Sequence, residues 1–276
     1  MNWRAIRAIA YKDLLVVSRS RNTMLTFILL PVLFLVVIPG GAILLASNPD
    51  LVSDFSAQSS DMEMFFANMP ASITTELGAF ETENQRAIAV VALYFFAPLF
   101  LILPLMLSSM IAADSLAGEK DRKTLEALIY TPTTDAEIYT AKLLSAWIPA
   151  LLITVVGFVI YGIVVNATAW PVIGRIFFPN LTWIALVLWL APAAAGLGLS
   201  ASVLVSSRVS TAQEAYQIGG LTVLPVVALV IGQLAGVVYL SVIFILIVGL
   251  FLWGIDLVLL WFGARIFQRG ELMSRL

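Results

Sequence analysis

Residues 114–141 read Asp-Ser-Leu-Ala-Gly-Glu-Lys-Asp-Arg-Lys-Thr-Leu-Glu-Ala-Leu-Ile-Tyr-Thr-Pro-Thr-Thr-Asp-Ala-Glu-Ile-Tyr-Thr-Ala, a charged island between two long apolar stretches. The island holds six of the 17 acidic and three of the 15 basic residues. Two membrane helices need only a short polar loop to turn a corner. A dense, helix-competent charged segment exceeds that need, so the island reads as a docking surface for something in water.

The surrounding chain is 61% hydrophobic and 12% charged, with a mean hydropathy of +1.00. A soluble domain of that composition would have to cover its own surface in apolar atoms, so lipid is the solvent for much of it. There is no cysteine, which excludes disulfides, thiol catalysis and cysteine metal sites. The absence of histidine removes the commonest general base and transition-metal ligand.

A helix crosses a bilayer with about 20 apolar residues. Six stretches qualify, at 23–46, 88–112, 143–165, 182–205, 218–237 and 241–263. The first follows a polar-rich segment and has no small-residue cleavage site, so it reads as a retained span. Thirteen of the 15 basic residues fall on one side of a six-span arrangement, and only Arg86 and Arg175 fall on the other. The loop over 47–86 carries seven acids, with no base before Arg86. The positive-inside rule therefore places both termini and the island in the cytoplasm and that loop outside.

Residues 1–22 form a basic amphipathic segment rather than a span. On a helical wheel Trp3, Ile6, Ile9, Ala10, Leu14 and Val17 share one face, and Arg4, Arg7, Lys12 and Arg19 lie around the other. Such a helix lies in the membrane interface. Asp13 sits near the apolar face and interrupts it. Within the spans, prolines such as Pro31, Pro39, Pro98, Pro149 and Pro192 predict kinks. The stretch 191–202 is nearly all small residues, which permits close helix packing.

Inside the island, Glu119 with Lys123 and Arg122 with Glu126 have helical pairing spacing. Leu125, Leu128 and Ile129 make a short apolar face. Thr131-Pro132 ends that helix, because the residue before a proline avoids the helical region. Thr134 with Glu137 is a capping box that opens a second helix leading into the third span. The pattern suits an element that passes displacement into the membrane.

The run 117–132, Ala-Gly-Glu-Lys-Asp-Arg-Lys-Thr-Leu-Glu-Ala-Leu-Ile-Tyr-Thr-Pro, followed by Lys142-Leu143-Leu144, resembles the cytoplasmic loop of type-2 ABC exporter permeases. Lys12-Asp13-Leu14, the bases from Arg19 to Arg21 and Pro31 are similar to the start of such chains. Within the family the likeness is greatest to the sodium-efflux-like branch. The resemblance implies an all-α fold: a single six-span domain over 1–276, an interfacial helix, and a cytoplasmic coupling helix in the 114–141 segment. It implies an integral protein of a prokaryotic inner or plasma membrane. A second six-span permease, identical or paralogous, would complete the membrane part, and a separate nucleotide-binding subunit would dock on the loop. Glu119, Lys120, Arg122, Lys123, Thr124, Leu125, Glu126 and Leu128 are the implied coupling residues. The chain has no Gly-x-x-x-x-Gly-Lys-Ser/Thr loop, so it encodes no phosphate cradle. ATP and magnesium are expected in the partner, no cofactor or catalytic site in this chain, and no nucleic acid.

Asp256 stands alone among the ionisable residues in lying deep inside an apolar stretch. An intramembrane acid suggests a cation ligand, a proton acceptor or a polar contact between helices. Tyr94, Tyr216, Gln217 and Gln233 are further candidates for polar lining. The alternative function is a stand-alone secondary transporter or channel using Asp256. The chain shows no internal repeat of the kind common in such proteins. A membrane enzyme would lack its usual histidine or cysteine.

Overall fold

The computed structural model describes residues 2–48, 69–119, 122, 131–206, 209 and 211–266. The described residues contain helices and no strand. A first helix, α1 (Trp3–Arg19), precedes six helices long and apolar enough to cross a membrane. These are α2 (Met24–Ala46), α4 (Glu83–Gly118), α5 (Asp135–Ile173), α6 (Leu181–Ser206), α7 (Gln213–Leu234) and α8 (Val242–Arg265). A short helix, α3 (Ala71–Leu77), lies in the acidic loop before α4.

At 1.5 Å per residue, α4 and α5 are each more than about 50 Å long, against a hydrocarbon core of about 30 Å. Both therefore extend past the bilayer. The α5 helix starts at Asp135, well before its apolar stretch, with the Thr134–Glu137 capping box in place. It ends at Gly174, whose φ of 68° is the left-handed conformation that glycine adopts without strain.

The bundle is built around α4 and α6, whose apolar windows are mostly buried. The other four spans wrap them and turn side chains such as Leu29, Leu152, Ile243 and Phe251 outward. The small residues of α6 explain its central place. A Cβ on Gly198 would strike the Leu105 carbonyl, and Ser109 and Ser202 approach to 2.6 Å between hydroxyl oxygens.

π-helical turns accompany three of the prolines. Turns at Leu33–Val37, Val91–Phe95 and Leu186–Leu190 lie just before Pro39, Pro98 and Pro192. Pro98 offers no N–H to the Tyr94 carbonyl four residues back. Gln233 of α7 donates to that oxygen at 2.7 Å, Trp183 of α6 to Leu93 at 2.8 Å, and Tyr161 of α5 to Ala92 at 2.6 Å. Three neighbouring spans thus satisfy one loosened turn of α4, as irregular backbone at membrane depth requires. Tyr161 and Trp183 also stack with ring centroids 4.7 Å apart.

Candidate functional site

The α1 helix packs differently from an isolated interfacial helix. Ile6, Ile9, Asp13 and Val17 form its buried face, packed against the protein. Trp3, Tyr11 and Val16 remain exposed, as do Arg4, Arg7 and Arg19. Asp13, which breaks the apolar pattern in the sequence, lies in the middle of the buried face.

Its partner is Lys142. The Lys142 ammonium is 3.3 Å from Asp13 Oδ2 and 2.7 Å from Glu119 Oε2, and donates at 2.7 Å to the Ser115 carbonyl. Lys12 bridges the same two acids from the rim, 3.1 Å from Asp13 Oδ1 and in contact with Glu119 Oε1. Ser115 donates to Asp13 at 2.7 Å and Ser145 does so at 3.4 Å. The four charges alternate around a closed ring: Lys142, Glu119, Lys12, Asp13. Lys142 is 2% exposed, Asp13 3% and Glu119 5%. Two acids and two bases make the ring neutral, which is how buried charge is tolerated.

Burial alone would raise the Asp13 carboxyl, but the charges of Lys142 and Lys12 and the Ser115 hydroxyl outweigh it and hold the group below its ordinary 3.8. Burial would lower the Lys12 ammonium. Its hydrogen bonds and charge contacts with Glu119 and Asp13 reverse this and hold it above 10.5.

A fourth π-helical turn, Asp114–Gly118, carries Ser115 into the ring and leads directly to Glu119. No proline accounts for this one. Beyond it Arg122 folds back, its guanidinium 3.1 Å from Asp114 Oδ1. Gly118 makes that path possible: a Cβ there would come within 2.7 Å of Asp114 Oδ1 and 3.1 Å of the guanidinium. Of the sequence-derived coupling residues, Glu119 thus faces the bundle and Arg122 turns back to it. Their expected partners Lys123 and Glu126, with Lys120, Thr124, Leu125 and Leu128, lie outside the described residues.

Sequence reasoning missed the ring because Lys142 read as part of the family-like run and Asp13 as an interruption of the apolar face. One signal was present. A wheel position between Ile9 and Val17 is an inward one, and an acid there demands a partner.

Asp256 of α8 is 1% exposed, and its carboxylate lies against Gly196 of α6, where a Cβ would collide with it. Neither carboxylate oxygen has a hydrogen-bond partner among the described residues, nor has the Trp253 indole N–H one turn earlier. Asp256 is thus one of several buried ionisable groups, and it differs from the ring in lacking a counter-charge among the described residues. The other polar candidates lie elsewhere. Tyr94 donates to Glu76 at 2.5 Å and Asn180 donates to Glu76 at 2.8 Å, at the acidic-loop end. Among the described residues no cluster of acids has metal-site geometry.

A family model described as ABC-2 family transporter protein matches residues 7–245. The chain belongs to the ABC-2 transporter family. The match begins within α1 and ends in α8, so it takes in the ring and all of the first five spans of this permease. No curated protein and no solved structure matches the permease.

Proposed function

We propose that this ABC-2 permease is the membrane subunit of an ATP-driven exporter. It forms the translocation path with a second six-span permease, and a separate nucleotide-binding subunit docks on residues 120–130. Both termini and that segment face the cytoplasm of a prokaryotic cell. The ATP–magnesium site belongs to the partner, in keeping with the absence of a phosphate-binding loop here.

One observation carries the reading. The segment leaves the end of α4 and returns through the Thr134 cap of α5, and both helices run on into membrane-spanning stretches. A force on the segment acts on two spans at once. Leu125 and Leu128 supply anchor side chains, each worth roughly 1.5–3 kcal/mol when buried. Lys120, Lys123, Thr124 and Glu126 set orientation through charge and hydrogen bonding.

The test is capture of an ABC-type ATPase by the tagged permease from its native membrane. Wild-type permease retains the ATPase, and Leu125→Asp and Glu126→Lys release it while the permease stays folded. Equal retention by both variants would reduce the segment to a solvated loop.

A second reading rests on Asp256, whose carboxylate, unpartnered among the described residues, supports a cation or proton step inside the bilayer. In the exporter it would serve the transport path. In a stand-alone transporter it would carry the coupling ion, and flux would then persist without ATP.

A further inference from the structure

The ring joins three elements that are far apart in sequence: α1 through Lys12 and Asp13, the end of α4 through Ser115 and Glu119, and the start of α5 through Lys142 and Ser145. Glu119 and Lys142 bracket the proposed docking segment. The ring therefore sits at its root, where its two ends enter the bundle.

A second tie runs parallel to the ring. Glu137, which caps α5, also accepts the Asn2 backbone N–H at 2.5 Å. The start of α1 is thus fixed to the start of α5 by Glu137, and its middle is fixed to both α4 and α5 by the ring. The remaining buried face, Ile6, Ile9 and Val17, belongs to one apolar cluster with Leu116, Ile138 and Ala141 at the same root.

We infer that Lys12, Asp13, Glu119 and Lys142 are positioning residues forming an electrostatic clamp, through which α1 takes part in transmitting movement of the docking segment to α4 and α5. The reason is geometric. A segment tethered only by its own chain would pull on each span separately. Here its two roots share counter-charges, so separating them exposes an unpaired buried charge. Two discrete arrangements, closed and broken, result in place of a continuous deformation. The role in transmission rests on the exporter reading; the clamp itself does not.

The ring predicts a pattern that an isolated ion pair does not. Removing one charge leaves a net charge in a buried site. Removing Asp13 and Lys142 together leaves the Lys12–Glu119 pair, which is neutral. Exchanging only Asp13 and Lys142 fails to restore the site, because each reversed group then meets a like charge at its other neighbour, Lys12 or Glu119.

The test uses the cysteine-free chain with a single reporter, Ile6→Cys, on the buried face of α1. A water-soluble maleimide is applied to the detergent-solubilised protein, with Tyr11→Cys as the exposed control. Asp13→Asn and Lys142→Met each raise the labelling rate of the Ile6→Cys reporter roughly tenfold or more, as expected when a buried pair is broken. The double variant Asp13→Asn/Lys142→Met labels more slowly than either single, and the exchange Asp13→Lys/Lys142→Asp remains fast. In the complex with the ATPase, hydrolysis per bound ATPase falls roughly fivefold in the single variants, the low end of ordinary coupling between sites, and recovers in the double.

Unchanged labelling in both single variants overturns the clamp. Fast labelling with wild-type hydrolysis per bound ATPase shows α1 to be an anchor only and overturns its part in transmission. If the wild-type chain captures no ATPase, the exporter reading fails and takes the transmission role with it. The labelling then upholds or overturns the clamp on its own.

Discussion

Replacing Asp256 separates a group kept for transport from one kept for packing. A buried polar group without partners is a net cost, about 1–3 kcal/mol for each acceptor left unmet in soluble proteins. Among the described residues both Asp256 oxygens are in that position, with Gly196 directly against them. Polar contacts within membranes are worth less, averaging about 0.6 kcal/mol, because the unfolded state in lipid also finds partners. The expected gain on substitution by a similar-sized apolar residue is therefore about 1 kcal/mol. Asp256→Leu should unfold at higher SDS fraction than wild type in a mixed-detergent titration, and Asp256→Asn should fall between them. Both variants should lose ATP-driven cation or proton flux in proteoliposomes loaded with sodium- and pH-indicator dyes. A Gly196→Ala change, which crowds the carboxylate, should destabilise the wild type and be tolerated in an Asp256→Ala background. A loss of about 1 kcal/mol or more in Asp256→Leu would refute the reasoning, since the carboxylate would then hold the fold through a partner. Preserved flux in both variants would remove Asp256 from the transport path.

Three further outcomes follow from the structure. Tyr161→Phe keeps the stack on Trp183 but removes the hydroxyl that donates to the Ala92 carbonyl, so unfolding stability should fall by about 0.6–1.7 kcal/mol while Tyr11→Phe, on the exposed face, changes nothing measurable. The Asp13 carboxyl is held below 3.8, so its contribution is present above that pH and lost as pH falls through the lowered value; an acid titration of unfolding should show a drop below about pH 4 that is absent in Asp13→Asn. Single cysteines at Ser59 and Thr133 in intact cells should label with an impermeant thiol reagent at the first position only, and the reverse pattern would invert the proposed orientation.

The six apolar stretches were legible because each is a property of composition along the chain. The proline-linked turns were half legible. Pro98 announces a freed carbonyl, but nothing in the sequence says that Gln233, Trp183 and Tyr161 arrive to satisfy that turn. Asp256 was legible as an anomaly, since a lone acid in an apolar run has only its surroundings to explain it. Its position against Gly196 required the packing of α8 on α6.

The ring was the part that sequence could not assemble, and the physical reason bears on its role. Each member has an ordinary local explanation: Lys12 and Lys142 as bases flanking spans, Glu119 as one end of an i,i+4 pair, Asp13 as a polar break in an amphipathic face. The cost of burying each is hidden until the others are placed, because only the closed set is neutral. The same fact sets the closed arrangement apart from any broken one. With all four charges present, α1, α4 and α5 share a root whose desolvation is offset by its own contacts. If movement of the docking segment draws Glu119 away, Lys142 is left facing Asp13 with Lys12 at the rim, an excess of positive charge in a site that was balanced. That imbalance favours return, so the ring acts as a restoring element at the base of the segment. An apolar root of the same volume would stabilise the resting bundle equally well and would supply no such restoring charge.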